Sequence, residues 1–205
     1  FYMIMTAIEG ECGDMIYNMF KIYNFIENDK LNLDIIFENL VEINKKMEKQ
    51  IKILLRIYEE CNPEIFYYNL REYLYGSDKL EGGLILENIS SIPLKYRGGS
   101  ASQSALIHSQ DIFFNIRHND KYLLEMRDYM TNKHRNLLND LDKKKNLLEF
   151  LNDKEKYILD NNLDKFKIDL IKEKYNDCIN KLLKFRKIHF NIVKKYVVKF
   201  DQKKD

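Results

Sequence analysis

The chain has 205 residues, of which 45% are hydrophobic and 32% are charged, so it can bury a core of its own. Basic and acidic residues nearly cancel to a net charge of +2, which excludes the strongly basic surface typical of proteins that bind nucleic acids or anionic membranes. No run approaches the roughly 18 apolar residues that span a bilayer.

The cysteines do not form a metal or disulfide framework. Cys12, Cys61 and Cys178 are odd in number and lie far apart, without the paired spacing of a zinc site. This pattern favours reduced thiols in a cytoplasmic protein.

Apolar residues recur at helical rather than alternating spacing, which predicts an all-α domain. Asn62 can cap a helix that begins at Pro63, because proline fits the first helical position. The predicted helices cover residues 2–27, 32–60, 63–74, 100–117, 120–130, 132–150 and 163–199.

Residues 76–99 interrupt this helical pattern with several glycines and one proline. We expect a long loop here, and loops of this length are often functional. Ser100 followed three residues later by Gln103 predicts a capping box that opens the next helix.

Two of the four histidines are candidate ligands for a metal or haem iron. His189 lies on the apolar face of the last helix, so its ring should point inward. His108 is the rival, although Asp111 shares its side of the helix. Periodicity alone leaves both as ordinary core histidines, while His118 is expected to be exposed and His134 to make a structural hydrogen bond.

Four segments, in this order, resemble indoleamine 2,3-dioxygenases. Each joins aromatic, glycine or charged residues at a spacing similar to that of the family. They are Asn62–Tyr73, Gly83–Ser104 with its Gly98-Gly99-Ser100-Ala101-Ser102-Gln103 stretch, Met126–Leu138, and Tyr175–Tyr196 with its Phe185-Arg186-Lys187-Ile188-His189 stretch.

The resemblance implies an all-α helical bundle that encloses a b-type haem, with a long helix carrying the proximal histidine. It implies an enzyme that uses O2 to cleave the indole C2–C3 bond of L-tryptophan to N-formylkynurenine, with an external reductant. Residues 1–205 would form the haem-binding large domain, and the family's small N-terminal domain is expected to lie outside this chain. A monomer is expected.

The resemblance also assigns residues around the haem. His189 matches the proximal iron ligand, and Arg186 with Asp111 matches a charged pair on the proximal side. Ser100 matches a serine near a haem propionate, and Ala101 follows it in the distal loop, where the resemblance implies that both also contact the substrate. Such neighbouring groups orient the ligand and tune the iron.

On the distal side, the resemblance assigns the residues that would bind the substrate. Phe66, Tyr67 and Phe1 match the aromatic wall against which an indole would pack, and Arg71 matches the arginine that holds the substrate carboxylate. Aromatic rings suit a flat apolar group, and the guanidinium fork suits a carboxylate.

This chain departs from the family pattern. Met5 stands where a small polar residue often follows the distal aromatic, and Tyr67 replaces a phenylalanine. The family's loop that closes on the substrate ammonium is expected beyond Asp205. Two alternatives therefore stay open, namely a haem protein that binds or senses O2 without dioxygenase activity, and a helical scaffold without cofactor.

Overall fold

The computed structural model describes residues 1–27, 32–118, 120–153, 158 and 164–202. Within these ranges the chain is helical apart from one small hairpin, which confirms the predicted all-α class. The α-helices are α1 (Tyr2–Cys12), α2 (Met15–Glu27), α3 (Leu33–Leu55), α4 (Ile57–Glu60), α5 (Pro63–Ile65), α6 (Ala105–Phe113), α7 (Lys121–Met126), α8 (Asn132–Asp142), α9 (Leu147–Asn152), α10 (Lys165–Val193) and α11 (Lys199–Asp201).

Two other helix types separate these α-helices. The π-helical turns are Phe66–Leu70 and Lys194–Val198. The 3-10 turns are Arg71–Leu74, Ser77–Lys79, Ala101–Gln103 and Arg127–Tyr129.

Helices α3 and α10 form the centre of the fold. They run in the same direction, because Lys167 pairs with Asp34 and Lys181 bonds to Asn44 further along both helices. The apolar stripe of α3 is buried in the core, as its helical spacing predicts. Helices α1 and α2 both pack against α3.

Several predicted helices are divided in the structure. The predicted helix at 2–27 breaks at a turn around Gly13, and the one at 132–150 becomes α8 and α9. The predicted helix at 63–74 is helical throughout, and it comprises an α turn, a π turn and a 3-10 turn in succession. Residue 163, the predicted start of the last helix, lies outside the described residues, and Asp164 caps α10.

The segment 76–99 is more ordered than predicted. Strand β1 (Leu84–Leu86) pairs antiparallel with β2 (Ser90–Leu94), and Asn88 makes the turn at a φ of 63°. Leucine, isoleucine and serine in these short strands give too brief a pattern to predict a hairpin.

Glycine brings the end of this segment against the turn that carries Arg71. A Cβ at Gly98 would lie 1.9 Å from the carbonyl oxygen of Leu74, and one at Gly76 would lie 2.4 Å from the nitrogen of Gly98. The two backbone stretches therefore touch at a distance that only glycine permits.

The predicted capping box is wrong. Ser100 caps the 3-10 turn by accepting from the backbone N–H of Ser102, whereas Ser104 caps α6. The side chain of Gln103 instead donates to the carbonyl of Gly98 at 3.1 Å. No helix in the described ranges is both long and apolar enough to cross a membrane.

Candidate functional site

One face of α10 changes from buried to open along its length. Residues on this face are buried as far as Leu182, but Arg186 and Val193 are only half-buried, and His189 at its centre is exposed. At helical spacing, His189 shares the direction of Ile171 and Tyr175, which face the core. The core-facing side of α10 is thus uncovered at His189 by the described residues.

Periodicity predicts that His189 points into the core, whereas the structure leaves it exposed. Periodicity identifies the face on which a side chain lies, but it does not say whether another helix covers that face. Surrounding protein nevertheless lowers the pKa of His189, because burial disfavours the charged imidazole. Among the described residues, no group hydrogen-bonds to its ring. A neutral imidazole is the form that ligates a metal.

Apolar side chains next to His189 are also uncovered. Leu183 and Phe190 are each 57% exposed. These two side chains lie on a different flank of the helix from His189, whereas the half-buried Phe185 and Val193, four residues to either side of His189, share its face. Such neighbours are suited to contact a flat, apolar ligand that the imidazole can hold.

A charged network lies one turn before His189. Nη2 of Arg186 in α10 donates to Oδ1 of Asp111 in α6, and the second oxygen of Asp111 lies 2.9 Å from Nε2 of His118. Asp111 is buried, so the charge of Arg186 and the contact with His118 offset the cost of removing a carboxylate from water. This network fixes α6 against α10 one turn before His189.

His118 is half-buried in this network rather than exposed as expected. After α6 the chain turns back at Asn115, whose φ is 53°, and the N–H of Ile116 donates to the carbonyl of Asp111. An asparagine two residues after the helix end was the only sequence signal for this reversal.

His108 does not have a free ring nitrogen. It is 4% exposed, its Nε2 lies 2.7 Å from the carbonyl of Ser102, and its Nδ1 lies 3.3 Å from Nε of Arg127. The tautomer that satisfies both contacts carries its proton on Nε2. Burial lowers the pKa of His108, so it stays neutral. Of the two candidate ligands, His108 is therefore the histidine that is buried in the core with both ring nitrogens in hydrogen bonds.

An aromatic cluster joins the two π turns. The ring of Phe66 lies 5.0 Å from that of Phe1 and 5.8 Å from that of Tyr196. The hydroxyl of Tyr196 lies 2.8 Å from the carbonyl of Cys61, which anchors it. Seven residues separate Tyr196 from His189, roughly 10 Å of helix, so the cluster and the imidazole are set apart along the same helix. Single π turns are frequent at functional sites.

Arg71 lies at the next turn from Phe66. Its guanidinium is 5.0 Å from the ring centre of Tyr67 and 5.5 Å from that of Tyr75. Nη1 of Arg71 donates to Oδ1 of Asp201 at 3.1 Å, and the hydroxyl of Tyr67 donates to the same oxygen at 2.6 Å. The Arg71 side chain is 24% exposed. Two rings and a carboxylate thus fix the guanidinium.

Ser100 and Ala101 are placed differently from the other predicted residues. Ser100 is half-buried and bonds only within its own turn, to Ser102, while Ala101 is exposed. Their link to the substrate-side residues is the backbone contact of Gly98 with Leu74, three residues after Arg71.

The predicted site residues therefore form three groups. The first comprises His189 with Arg186 and Asp111, the second comprises Phe1, Phe66, Tyr67 and Arg71, and the third is the Ser100–Ala101 turn. Sequence reasoning missed His118 and Asp201. Asp201 carries no pattern of its own, because it is one of many scattered acids in a lysine-rich segment.

In the described part of the chain, the fold and these groups define a helical protein whose long central helix presents a histidine without a hydrogen-bond partner on an uncovered face, with an aromatic wall and an arginine further along. The sequence signature of the family "Indoleamine 2,3-dioxygenase" matches residues 1–205. The chain belongs to this family.

Individual relatives agree with this assignment. Over 174 residues the chain is 36% identical to indoleamine 2,3-dioxygenase 1 of Rattus norvegicus, covering 80% of this chain and 40% of the relative. It is 30% identical to indoleamine 2,3-dioxygenase 1 of Mus musculus over 213 residues, covering 100% and 49%. A myoglobin of Haliotis madaka is 29% identical over 196 residues, covering 92% and 48%. The chain spans about half or less of the length of these relatives.

Proposed function

We propose that this chain is the haem-binding large domain of a dioxygenase that cleaves the indole C2–C3 bond of L-tryptophan to N-formylkynurenine. The observation that carries the proposal is His189, whose imidazole has a lowered pKa and no hydrogen-bond partner among the described residues, at a core-facing helix position that these residues leave uncovered. Family membership supports the reaction and the substrate class.

The residues present fit a b-type haem. His189 would hold the iron, and the half-buried Phe185 and Val193 on the same helix face would contact the apolar macrocycle. The pair Arg186–Asp111 would fix the helix that carries the ligand. When bound, haem supplies the activation of O2, and the protein supplies binding, orientation and exclusion of water. We assign Ser100 and Ala101 to the propionate and distal side from the resemblance alone.

The substrate residues act by positioning. Phe66 and Phe1 give the indole an apolar wall, since their rings already pack together. Arg71 binds the carboxylate, and its stacking on Tyr67 restricts the guanidinium before the substrate arrives. The side chain of Met5 has no hydrogen-bond acceptor comparable to a hydroxyl, so the indole N–H would find no partner at that position.

The first experiment is to load the purified protein with hemin, reduce it, and record its optical spectrum with and without L-tryptophan. O2 is then admitted and N-formylkynurenine is measured. A histidine-ligated spectrum with product supports the proposal. A histidine-ligated spectrum without product, in a preparation that binds L-tryptophan, contradicts the dioxygenase assignment.

The substrate pose is tested with Arg71→Lys. Lysine keeps the charge but loses the bidentate geometry, so KM for L-tryptophan should rise about tenfold or more, a loss of about 1.4 kcal/mol. Arg56→Lys is the matched control, because Arg56 makes an exposed pair with Glu59 on the surface. An unchanged KM in Arg71→Lys would refute this pose.

The second candidate is a haem protein that binds or senses O2 without the dioxygenase reaction. The similarity to a protein named myoglobin favours it. Arg71 argues against it, because an oxygen carrier has no need of a carboxylate-binding group. Stable O2 binding with a spectrum that L-tryptophan does not alter would support this candidate. A protein that takes up no hemin would instead be the helical scaffold.

The remaining assignments follow from the same proposal. We propose that residues 1–205 form one large domain, that a small N-terminal domain completes the distal side in the whole protein, and that an external reductant keeps the iron ferrous. We also propose a cytoplasmic monomer. Size-exclusion chromatography of the full-length protein tests the oligomeric state.

A further inference from the structure

Asp201 lies against the residue proposed to bind the substrate carboxylate. Its Oδ1 accepts hydrogen bonds from Nη1 of Arg71 at 3.1 Å and from the Tyr67 hydroxyl at 2.6 Å. The neighbouring Phe200 stacks on the ring of Tyr67 at 5.1 Å between centroids, with an interplanar angle of 25°. The short helix α11 is thus docked on the Tyr67–Arg71 turn by both its aromatic residue and its acidic residue.

Arg71 nevertheless keeps one binding edge available. Among the described residues, neither Nε nor Nη2 of Arg71 has a hydrogen-bond partner. Arg97 of this chain uses the same edge to hold Glu125 with two bonds, Nε to Oε1 at 2.9 Å and Nη2 to Oε2 at 3.1 Å. A second carboxylate can therefore bind Arg71 on its Nε–Nη2 edge while Asp201 stays on Nη1.

The carboxylate and ammonium groups of an α-amino acid are attached to one carbon, so binding of the first determines where the second can lie. A carboxylate on the free edge of Arg71 brings the ammonium into the neighbourhood of Asp201. We infer that Asp201 is the binding subsite for the α-ammonium group of an amino-acid substrate, next to the carboxylate subsite on Arg71. This inference rests on the proposed function, which supplies the substrate class.

Charge supports the arrangement. Arg71 and Asp201 together are neutral and dipolar, as is a zwitterionic amino acid, so the two dipoles can pair head to tail. Asp201 is 50% exposed, so an incoming ammonium group can reach it and its contribution is moderated by water.

Tyr67 positions this carboxylate. The acceptor Asp201 raises the pKa of the Tyr67 hydroxyl, which therefore remains a hydrogen-bond donor at neutral pH. The Tyr67 hydroxyl thus holds the Asp201 carboxylate in place by a hydrogen bond. A phenylalanine, which the family has at this position, could not orient the ammonium subsite in this way.

The test compares L-tryptophan with indole-3-propionate, which keeps the indole and carboxylate but lacks the ammonium. Both are titrated with hemin-loaded wild type, Asp201→Asn and the control Glu64→Gln. Glu64 is an exposed acid three residues before Tyr67, so its substitution changes the net charge equally nearby. The chain contains no tryptophan, so quenching of the ligand's own indole fluorescence reports binding directly, without turnover.

Asp201→Asn should weaken L-tryptophan binding about tenfold and change the Kd of indole-3-propionate by less than about twofold. Glu64→Gln should alter neither. Equal losses for both ligands would overturn the inference and make Asp201 a positioning residue for Arg71. Tighter binding of both would overturn it and make Asp201 a competitor of the substrate carboxylate. If wild type bound indole-3-propionate and L-tryptophan equally well, the subsite would also be refuted while the proposed function stood. Failure of wild type to bind L-tryptophan at all would remove the proposed function together with the inference.

Discussion

Two histidines with lowered pKa values make the stability of the protein depend on pH. Burial lowers the pKa of both His108 and His189 from the ordinary value of 6.5. The unfolded chain therefore takes up protons at these histidines before the folded chain does. Their contribution to stability is present above pH 6.5 and is lost as the pH falls below it towards their folded pKa values. The melting temperature of the haem-free protein should therefore decrease as the pH is lowered through this window.

The variant His108→Gln isolates the contribution of His108 to this pH dependence. In His108→Gln the amide can still donate to Ser102 and accept from Arg127, but it does not titrate. The decline in melting temperature between about pH 7 and about pH 5 should therefore be shallower than in wild type. His134→Gln, at an exposed position in α8, should keep the wild-type decline. The pKa values of carboxylates such as Glu11 and Glu27 are lowered from 4.5, so these groups do not contribute to the decline in melting temperature between about pH 7 and about pH 5. A slope in His108→Gln identical to wild type would contradict this account.

At the residue scale, the sequence predicted some features of the site and could not predict others. The pairing of Arg186 with Asp111 was expected from the family resemblance, and the structure places the two in contact. The choice between His108 and His189 could not be made from periodicity, because both lie on inward faces. It depends on ring contacts, namely with Ser102 and Arg127, that join different elements.

At the element scale, the close approach of two backbone segments fixes the loop that leads to Ser100. A Cβ at Gly98 would meet the carbonyl oxygen of Leu74 at 1.9 Å, whereas one at Gly99 would meet only a Leu74 methyl at 3.7 Å. Gly98→Ala should therefore lower the free energy of unfolding by about 2 kcal/mol, and Gly99→Ala should change it by less than about 0.5 kcal/mol.

Urea unfolding of the two glycine variants measures this difference. The affected turn adjoins Arg71 as well as Ser100, so Gly98→Ala should also raise KM for L-tryptophan if the proposed substrate pose holds. Similar unfolding midpoints for Gly98→Ala and Gly99→Ala would show that the loop can move away from Leu74 at little cost, and would refute the rigid contact.

Element type was predicted well where the apolar pattern is long and poorly where it is short. The stripes of α3 and α10 extend over many turns, so each helix is recognisable alone. The π turn at Phe66–Leu70 and the hairpin of β1 and β2 each cover only a few residues. Their geometry depends on packing against distant partners, here Tyr196 and the Arg71 turn, which local propensity does not contain.

At the scale of the whole molecule, the open face of α10 couples cofactor binding to stability. Helix α3 and its neighbours cover α10 through Leu182, but the described protein does not cover His189. A haem ligated by His189 would cover this face only in the folded state. Because a ligand that binds the folded state alone stabilises it by mass action, hemin at about 100 times its Kd should add about 2.7 kcal/mol to the free energy of unfolding.

His189→Ala tests whether this linkage passes through the proposed ligand. The ring is exposed and makes no hydrogen bond among the described residues, so the haem-free variant should unfold within about 0.5 kcal/mol of wild type. Its midpoint should then barely respond to hemin, while wild type and the control His134→Ala should both shift upward. Denaturant unfolding at fixed hemin concentrations gives these shifts directly. The variant His189→Ala lacks only the imidazole. An equal shift in this variant would therefore mean that hemin stabilises the fold without ligation by His189.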